Sequence, residues 1–141
     1  MTKKKVNIFG TTGSIGQSTL QVLRGYKGEY DFIAFSAHDN VDQLIKDCLE
    51  FKPQYVNIGN EKHFLKLKNA LHDTDISLSY GRDALLDLAC TKTDWSMSAI
   101  VGFSGVEVSL LCAEHSKILA LANKEALVCA GKLLLSICKA Y

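Results

Sequence analysis

The chain has 141 residues, 48% hydrophobic and 22% charged, with a single proline. At 15.5 kDa it is long enough to bury about two-thirds of its extended surface in one domain, which excludes disordered, collagen-like and mucin-like classes. Lys and Arg total 16 against 15 Asp and Glu, a net charge of +1. That balance argues against a nucleic-acid partner, because phosphate backbones require several unpaired cations on one face.

The amino end runs Met1-Thr2-Lys3-Lys4-Lys5 directly into Val6-Asn7-Ile8-Phe9. This lead is too short for the apolar core of a secretory signal and lacks an Arg-rich transit helix. No apolar run reaches the roughly 18 residues of a bilayer span, so no membrane partner is expected. From here short β-rich apolar runs alternate with stretches at helical spacing, six times over. The pattern predicts strands at 6–9, 32–37, 55–58, 76–79, 97–101 and 118–122, and helices at 14–24, 41–51, 61–71, 82–89, 105–114 and 124–140. In the second helix Leu44, Ile45, Cys48 and Phe51 make one apolar stripe. Six strand-helix units imply an α/β, Rossmann-like, doubly wound fold: a mostly parallel sheet with helices on both faces.

The first strand is followed by Gly10-Thr11-Thr12-Gly13-Ser14-Ile15-Gly16 and then a helix. Glycines there permit a tight turn and close backbone approach to a pyrophosphate, while the helix amides and dipole attract the anion. Read alone, the triplet is either a cofactor turn or an ordinary β-α turn; the strand before and helix after favour the cofactor. A valine at Gly13 is expected to abolish binding, by filling the pyrophosphate's space and resisting positive φ. Gly16 lets the helix pack closely.

The second strand ends at His38-Asp39-Asn40, where a dinucleotide fold meets the adenosine ribose. Asp39 favours a free 2′-hydroxyl by that rule, whereas His38 and Asn40 offer donors to a 2′-phosphate. Equally, Asn40 is a helix cap and Asp39 a dipole partner. Asn60 and Asn123 stand as caps before later helices. Gly102 and Gly105 follow the fifth strand, either as a plain turn or as backbone approaching a cofactor. Asn123-Lys124-Glu125 opens the last helix, either as a capped first turn or as polar groups set over a ligand. The five cysteines, Cys48, Cys90, Cys112, Cys129 and Cys138, are odd in number and without C-x-x-C, as expected of reduced, mostly buried thiols in a cytoplasmic protein. The histidines and cysteines have no zinc spacing, and no G-x-S-x-G elbow occurs. The chain stops at Tyr141, after an apolar helix that wants a second partner layer, which suggests a piece of something longer.

Three blocks resemble the 1-deoxy-D-xylulose 5-phosphate reductoisomerase family: Gly10 to Leu20, Ala99 to Gly105, and Leu119 to Val128 with Asn123-Lys124-Glu125 at its centre. The similarity runs along the whole chain. It implies an NADPH-binding domain over residues 1–141, in which Thr12, Gly13, Ser14 and Ile15 line the pyrophosphate, Asn40 lies near the 2′-phosphate, and Asn123 and Glu125 meet the cofactor. Lys124 resembles the lysine that contacts the sugar-phosphate substrate. His38, Asp39 and Gly102 complete the candidate cofactor set. The family commonly has a small residue, a basic residue and Asn where this chain has His38-Asp39-Asn40, so a charge that helps select NADPH over NADH is absent. NADPH is still expected to bind more tightly than NADH, by a reduced margin.

The resemblance implies a full-length homodimeric enzyme that rearranges a sugar phosphate with Mg or Mn and then transfers hydride. Its acidic Asp-Ser-Glu metal segment would follow Tyr141, so neither catalytic nor metal residues are expected among these 141, nor activity of this chain alone. Two other readings fit the glycine turn: a stand-alone nucleotide-binding sensor, and the first domain of a semialdehyde dehydrogenase.

Overall fold

The structure, a computed structural model, describes residues 2–141. Among the described residues, six strands alternate with six α-helices: β1 (Lys4–Phe9), α1 (Ser14–Leu23), β2 (Tyr30–Ala37), α2 (Val41–Phe51), β3 (Tyr55–Ile58), α3 (Phe64–Ala70), β4 (Ser77–Tyr80), α4 (Arg82–Ala89), β5 (Thr93–Ser98), α5 (Ser104–His115), β6 (Ser116–Leu121) and α6 (Lys124–Ala140). Every strand pair is parallel, in the order β4-β3-β2-β1-β5-β6. The chain winds outward from β1 to β4, then returns through α4 to the other side of β1. The order reverses between β1 and β5, the doubly wound arrangement expected.

Alternation along the strands divides the core. Val6, Ile8, Phe35, Val56 and Ile58 pack under Leu20 and Leu23 of α1, Leu44, Cys48 and Phe51 of α2, and Leu67 of α3. Phe9 and Ala34 point the other way, onto Leu85 and Ala89 of α4 and Val108 and Cys112 of α5. A bulge beside Val6 and Asn7 adds one residue to β2, which turns Phe32 and Phe35 to the same face and sets their rings 5.8 Å apart, with Phe51 5.2 Å from Phe32. Each such fully buried side chain stabilises the fold by about 1.5–3 kcal/mol. On α2's outer side Glu50 accepts from Arg24 and Lys27, and those hydrogen bonds hold its carboxyl down at about 2.

Two expectations need correction. The fifth strand is Thr93–Ser98, ending near where 97–101 was predicted to begin. Its buried side chains are hydroxyls, satisfied laterally: Ser96 Oγ lies 2.6 Å from Ser116 Oγ, and Ser98 Oγ 2.7 Å from Ser109 Oγ. A strand that buries polar groups in pairs carries no apolar signature, and the apolar 99–101 that follow it are loop. Second, only Cys48 and Cys112 are buried, whereas Cys90, Cys129 and Cys138 are exposed; all five are unpaired. Smaller differences are a 3-10 segment at Arg24–Glu29 and the division of 61–71 into a 3-10 turn, Glu61–His63, and α3. The helix α6 packs on α5 through Ala126 and Leu134 and leaves Leu127, Val128, Leu133 and Leu135 exposed. No helix among the described residues is long and apolar enough to cross a membrane.

Candidate nucleotide-binding cleft

The glycine turn is shaped by two contacts that only glycine allows. Gly10 has φ +82, and a Cβ there would lie 2.6 Å from Ala99 O. At Gly16 a Cβ would strike the carbonyls of Gly10 and Thr11, so the glycine seats α1 on its own turn. Gly13 behaves otherwise than expected: its φ is −73, and a Cβ would meet only Gly10 O at 3.6 Å. A side chain at Gly13 therefore fits the backbone and projects toward the cleft.

Hydrogen bonds fasten the turn to β2. Thr11 N donates to Ser36 O at 2.8 Å and Gly10 N to Ser36 Oγ at 3.0 Å, while Thr11 Oγ1 donates back to Ile8 O of β1 at 2.9 Å. From beneath, Gln17 Nε2 donates to Thr11 O and to Asp47 Oδ2, at 2.9 and 2.8 Å, and Gln43 Nε2 donates to Asp47 Oδ1. Asp47 is only 2% exposed, and burial pushes its carboxyl above the ordinary value against the pull of the two amides. Gly13 precedes α1 without a side-chain cap, so the first-turn amides of that helix face outward. Such amides at the positive end of a helix dipole form an anion seat.

Gly10, Thr12, Gly13, His38, Arg82 and Ile100 line a cleft of about 320 Å³ at the carboxyl ends of the strands, beside the reversal between β1 and β5. A larger groove of about 640 Å³, bordered by Lys52, Tyr55, Asp73 and Asp75, lies at the opposite ends of β3 and β4. The smaller cleft is the candidate site, because open α/β sheets bind ligands outside their carboxyl ends.

Ser14 and Ile15 are exposed at the start of α1, and His38, Asp39 and Asn40 are exposed at the end of β2. Asn40 caps α2, accepting from Gln43 N at 3.2 Å, just as Asn60 accepts from Lys62 N and Asn123 from Ala126 N. The amide of Asn123 goes further: Nδ2 donates to Ile100 O at 2.5 Å and Gly102 O at 2.8 Å, tying the start of α6 to the loop before α5. The side chain of Asn123 is thereby 1% exposed, while Lys124 is exposed and Glu125 half-buried. Gly102 has φ +77 and Gly105 is closed in by Ile100 O and Asn123. Thus the second and third blocks meet each other, and the Ile100 side meets the glycine turn.

Arg82, which lines the cleft, and the approach of Asn60 and His63 to Asp39 beside it escaped the sequence reading. Arg82, at the start of α4, donates to Ser104 O at 2.8 Å and to Glu107 at 3.3 Å. A cation in the first turn opposes the helix dipole, and here Glu107 of α5 and Asp83 of the same turn are the anions beside it. Asn60 and His63 approach Asp39 from the β3–α3 connection: Asn60 Nδ2 donates to Asp39 Oδ1 at 2.8 Å, and His63 Nε2 lies 3.8 Å from the same oxygen. Among the described residues, no three His, Cys, Asp or Glu side chains converge to hold a metal ion.

A family model described as 1-deoxy-D-xylulose 5-phosphate reductoisomerase matches residues 6–131. Proteins of that name from Ruegeria sp. (strain TM1040) and Agathobacter rectalis are 42% and 40% identical over 135 and 139 residues, or 96% and 98% of this chain and 34% and 36% of theirs. The chain therefore spans about a third of these relatives. Among solved structures, the Zymomonas mobilis reductoisomerase in complex with NADPH superposes with a TM-score of 0.94 at 33% identity, covering 99% of this chain and 37% of that one. A reductoisomerase in complex with magnesium gives 0.90 at 32% identity, covering 99% and 35%. These matches disfavour a semialdehyde dehydrogenase. The chain belongs to the 1-deoxy-D-xylulose 5-phosphate reductoisomerase family.

Proposed function

We propose that residues 1–141 are the NADPH-binding domain of a reductoisomerase that converts 1-deoxy-D-xylulose 5-phosphate to 2-C-methyl-D-erythritol 4-phosphate, in non-mevalonate isoprenoid synthesis. The observation that carries this reading is the outward-facing first turn of α1 behind the Gly10–Gly16 turn, at the sheet's reversal point. The fit is steric as well as electrostatic, since the Gly10 and Gly16 contacts bring bare backbone to the cleft.

In this reading Thr12, Gly13, Ser14 and Ile15 receive the pyrophosphate, while Asn40 holds the cap of α2 and turns its remaining amide to the adenosine side. NADPH supplies the hydride when bound. Asn123 fixes the loop over 100–102 from behind, which sets the backbone of Gly102 at the cleft, and Glu125 borders it from α6. Lys124, exposed beside them, offers an ammonium to the substrate phosphate. A divalent ion does not fit the donors of the described residues, so no step here is routed through one. The full-length enzyme is read as a cytoplasmic homodimer, in keeping with unpaired thiols that a reducing compartment preserves.

Fluorescence titration of the 141-residue chain with NADPH tests the reading. Saturable binding is expected, with no NADPH oxidation on adding 1-deoxy-D-xylulose 5-phosphate and magnesium. An absence of binding refutes the cofactor role, and turnover above a substrate-free control refutes its restriction to binding.

A further inference from the structure

The entry to α4 is fixed at both ends of one side chain. Gly81, at φ +84, turns the chain out of β4; its N–H donates to Ile58 O at 3.0 Å, and its carbonyl accepts from Asn57 Nδ2 at 3.1 Å. Asn57 is fully buried and donates also to Ser79 Oγ at 3.1 Å, so Arg82 starts from a backbone tied to β3 and β4. At the far end of its side chain, Nη1 donates to Ser104 O at 2.8 Å and Nη2 to Glu107 Oε2 at 3.3 Å. The guanidinium is thereby carried from α4 to the first turn of α5, beside the cleft that Arg82 and Ser104 both line.

The walls around that guanidinium are aliphatic. Leu85, three residues along α4, lines the cleft together with Ile100 and Val101 of the loop after β5. Val101 is 81% exposed, and its loop is held in place by Asn123 Nδ2, which donates to the carbonyls of Ile100 and Gly102. Apolar walls with one placed polar group suit a ring more than an ion. We propose that Arg82 is the purine-binding residue of the cofactor cleft: its guanidinium lies flat against the adenine, which Leu85, Ile100 and Val101 enclose. This rests on the cofactor reading above. In a doubly wound sheet the adenosine lies toward the end of β2, and His38 and Gly59, from the ends of β2 and β3, share the cleft with Arg82.

Glu107 decides between the two things an arginine offers a nucleotide. A guanidinium takes a phosphate edge-on through its N–H groups, or a base through its planar face. Here a carboxylate and a carbonyl already occupy N–H groups and offset the charge, so a phosphate oxygen would have to compete with Glu107. A ring would not. Among the described residues the cation–π contacts are those of Arg24 and Lys27 with Phe51, and no aromatic side chain stacks on Arg82. Glu107 is then a positioning residue, which keeps the plane in place by holding its edge.

The test is calorimetry of the 141-residue chain with NADPH, NADH and adenosine 2′,5′-bisphosphate, which carries the purine without nicotinamide, at low and at high salt. Arg82→Ala should weaken all three roughly tenfold, the size of a desolvated guanidinium–ring contact, and by the same factor at both salt concentrations. Arg82→Lys, which keeps the charge but not the plane, should weaken them nearly as much. Glu107→Ala, which frees the guanidinium, should weaken them severalfold. Urea unfolding checks that each variant is folded. Unchanged affinity in Arg82→Ala overturns the proposal while the cofactor reading stands. So does any mark of a phosphate contact: a loss confined to the 2′-phosphorylated ligands, a loss that salt diminishes or Arg82→Lys restores, or tighter binding by Glu107→Ala. Failure of the bisphosphate to bind a wild type that binds NADPH has the same consequence. Failure of both dinucleotides to bind the wild type overturns the two readings together.

Discussion

Replacing Asn123 separates its jobs by the atoms each variant retains. Its Oδ1 accepts from Ala126 N at 2.7 Å, a cap whose loss costs about 1 kcal/mol. Its Nδ2 serves Ile100 O and Gly102 O, and removing each bond at a site 1% exposed costs about 1 kcal/mol more. Asn123→Ala should therefore destabilise by about 3 kcal/mol, whereas Asn123→Ser, which keeps a capping oxygen, should cost about 2. Urea unfolding followed by Trp95, half-buried with its ring 6.1 Å from Tyr30, measures both. At a few degrees per kcal/mol, the alanine variant should melt roughly 10 °C lower. Because the freed carbonyls belong to the loop beside the cleft, NADPH affinity should fall in the folded serine variant as well. Equal costs for serine and alanine would show that the cap contributes nothing, and a loss under about 1 kcal/mol in both would refute the whole accounting.

Gly13→Val should fold with near wild-type stability, since the backbone there is extended and a Cβ has room, yet lose NADPH binding; unchanged affinity in a calorimetric titration would contradict the placement of the pyrophosphate. Glu50→Gln should lower stability by about 1 kcal/mol at neutral pH, discounted for the exposure of Arg24 and Lys27. Because the folded carboxyl is depressed from 4.5 to about 2, that stability is present above about 4.5 and lost as pH falls through about 2, so wild-type and variant urea midpoints should converge in acid. For Asp47 the sign reverses: its raised value means that ionisation disfavours the fold, and Asp47→Asn should flatten a decline in stability that the wild type shows as pH rises through that value.

What the sequence disclosed follows from how local each cause is. The stripe Leu44, Ile45, Cys48 and Phe51 announces α2 because helical period and burial coincide, and that helix begins and ends at the predicted residues. Asn40, Asn60 and Asn123 are legible as caps because a cap and its amide lie two or three residues apart. The strand β5 was displaced because its buried Ser96 and Ser98 are satisfied by Ser116 and Ser109, partners eleven to twenty residues away that no window of alternation includes. The approach of His63 to Asp39 was hidden for the same reason. It is created by the pairing of β2 with β3, and neither residue's neighbours in the chain foretell it. Similarly, the reading that Gly13 needed positive φ failed because the turn places that demand on Gly10 instead.

The uneven burial of the thiols gives the chain a built-in clock. Cys48 and Cys112 are enclosed by the two opposite faces of the sheet, and burial pushes both thiols up, Cys112 to about 12. A neutral alkylating reagent should therefore modify Cys90, Cys129 and Cys138 in the native protein and reach the other two only when the layers part. Since Cys48 lies on the buried face of α2 and Cys112 on that of α5, mass-resolved labelling of the two sites would time the opening of each layer separately. Cofactor that bridges the glycine turn and the Ile100 loop should slow both clocks by the same factor.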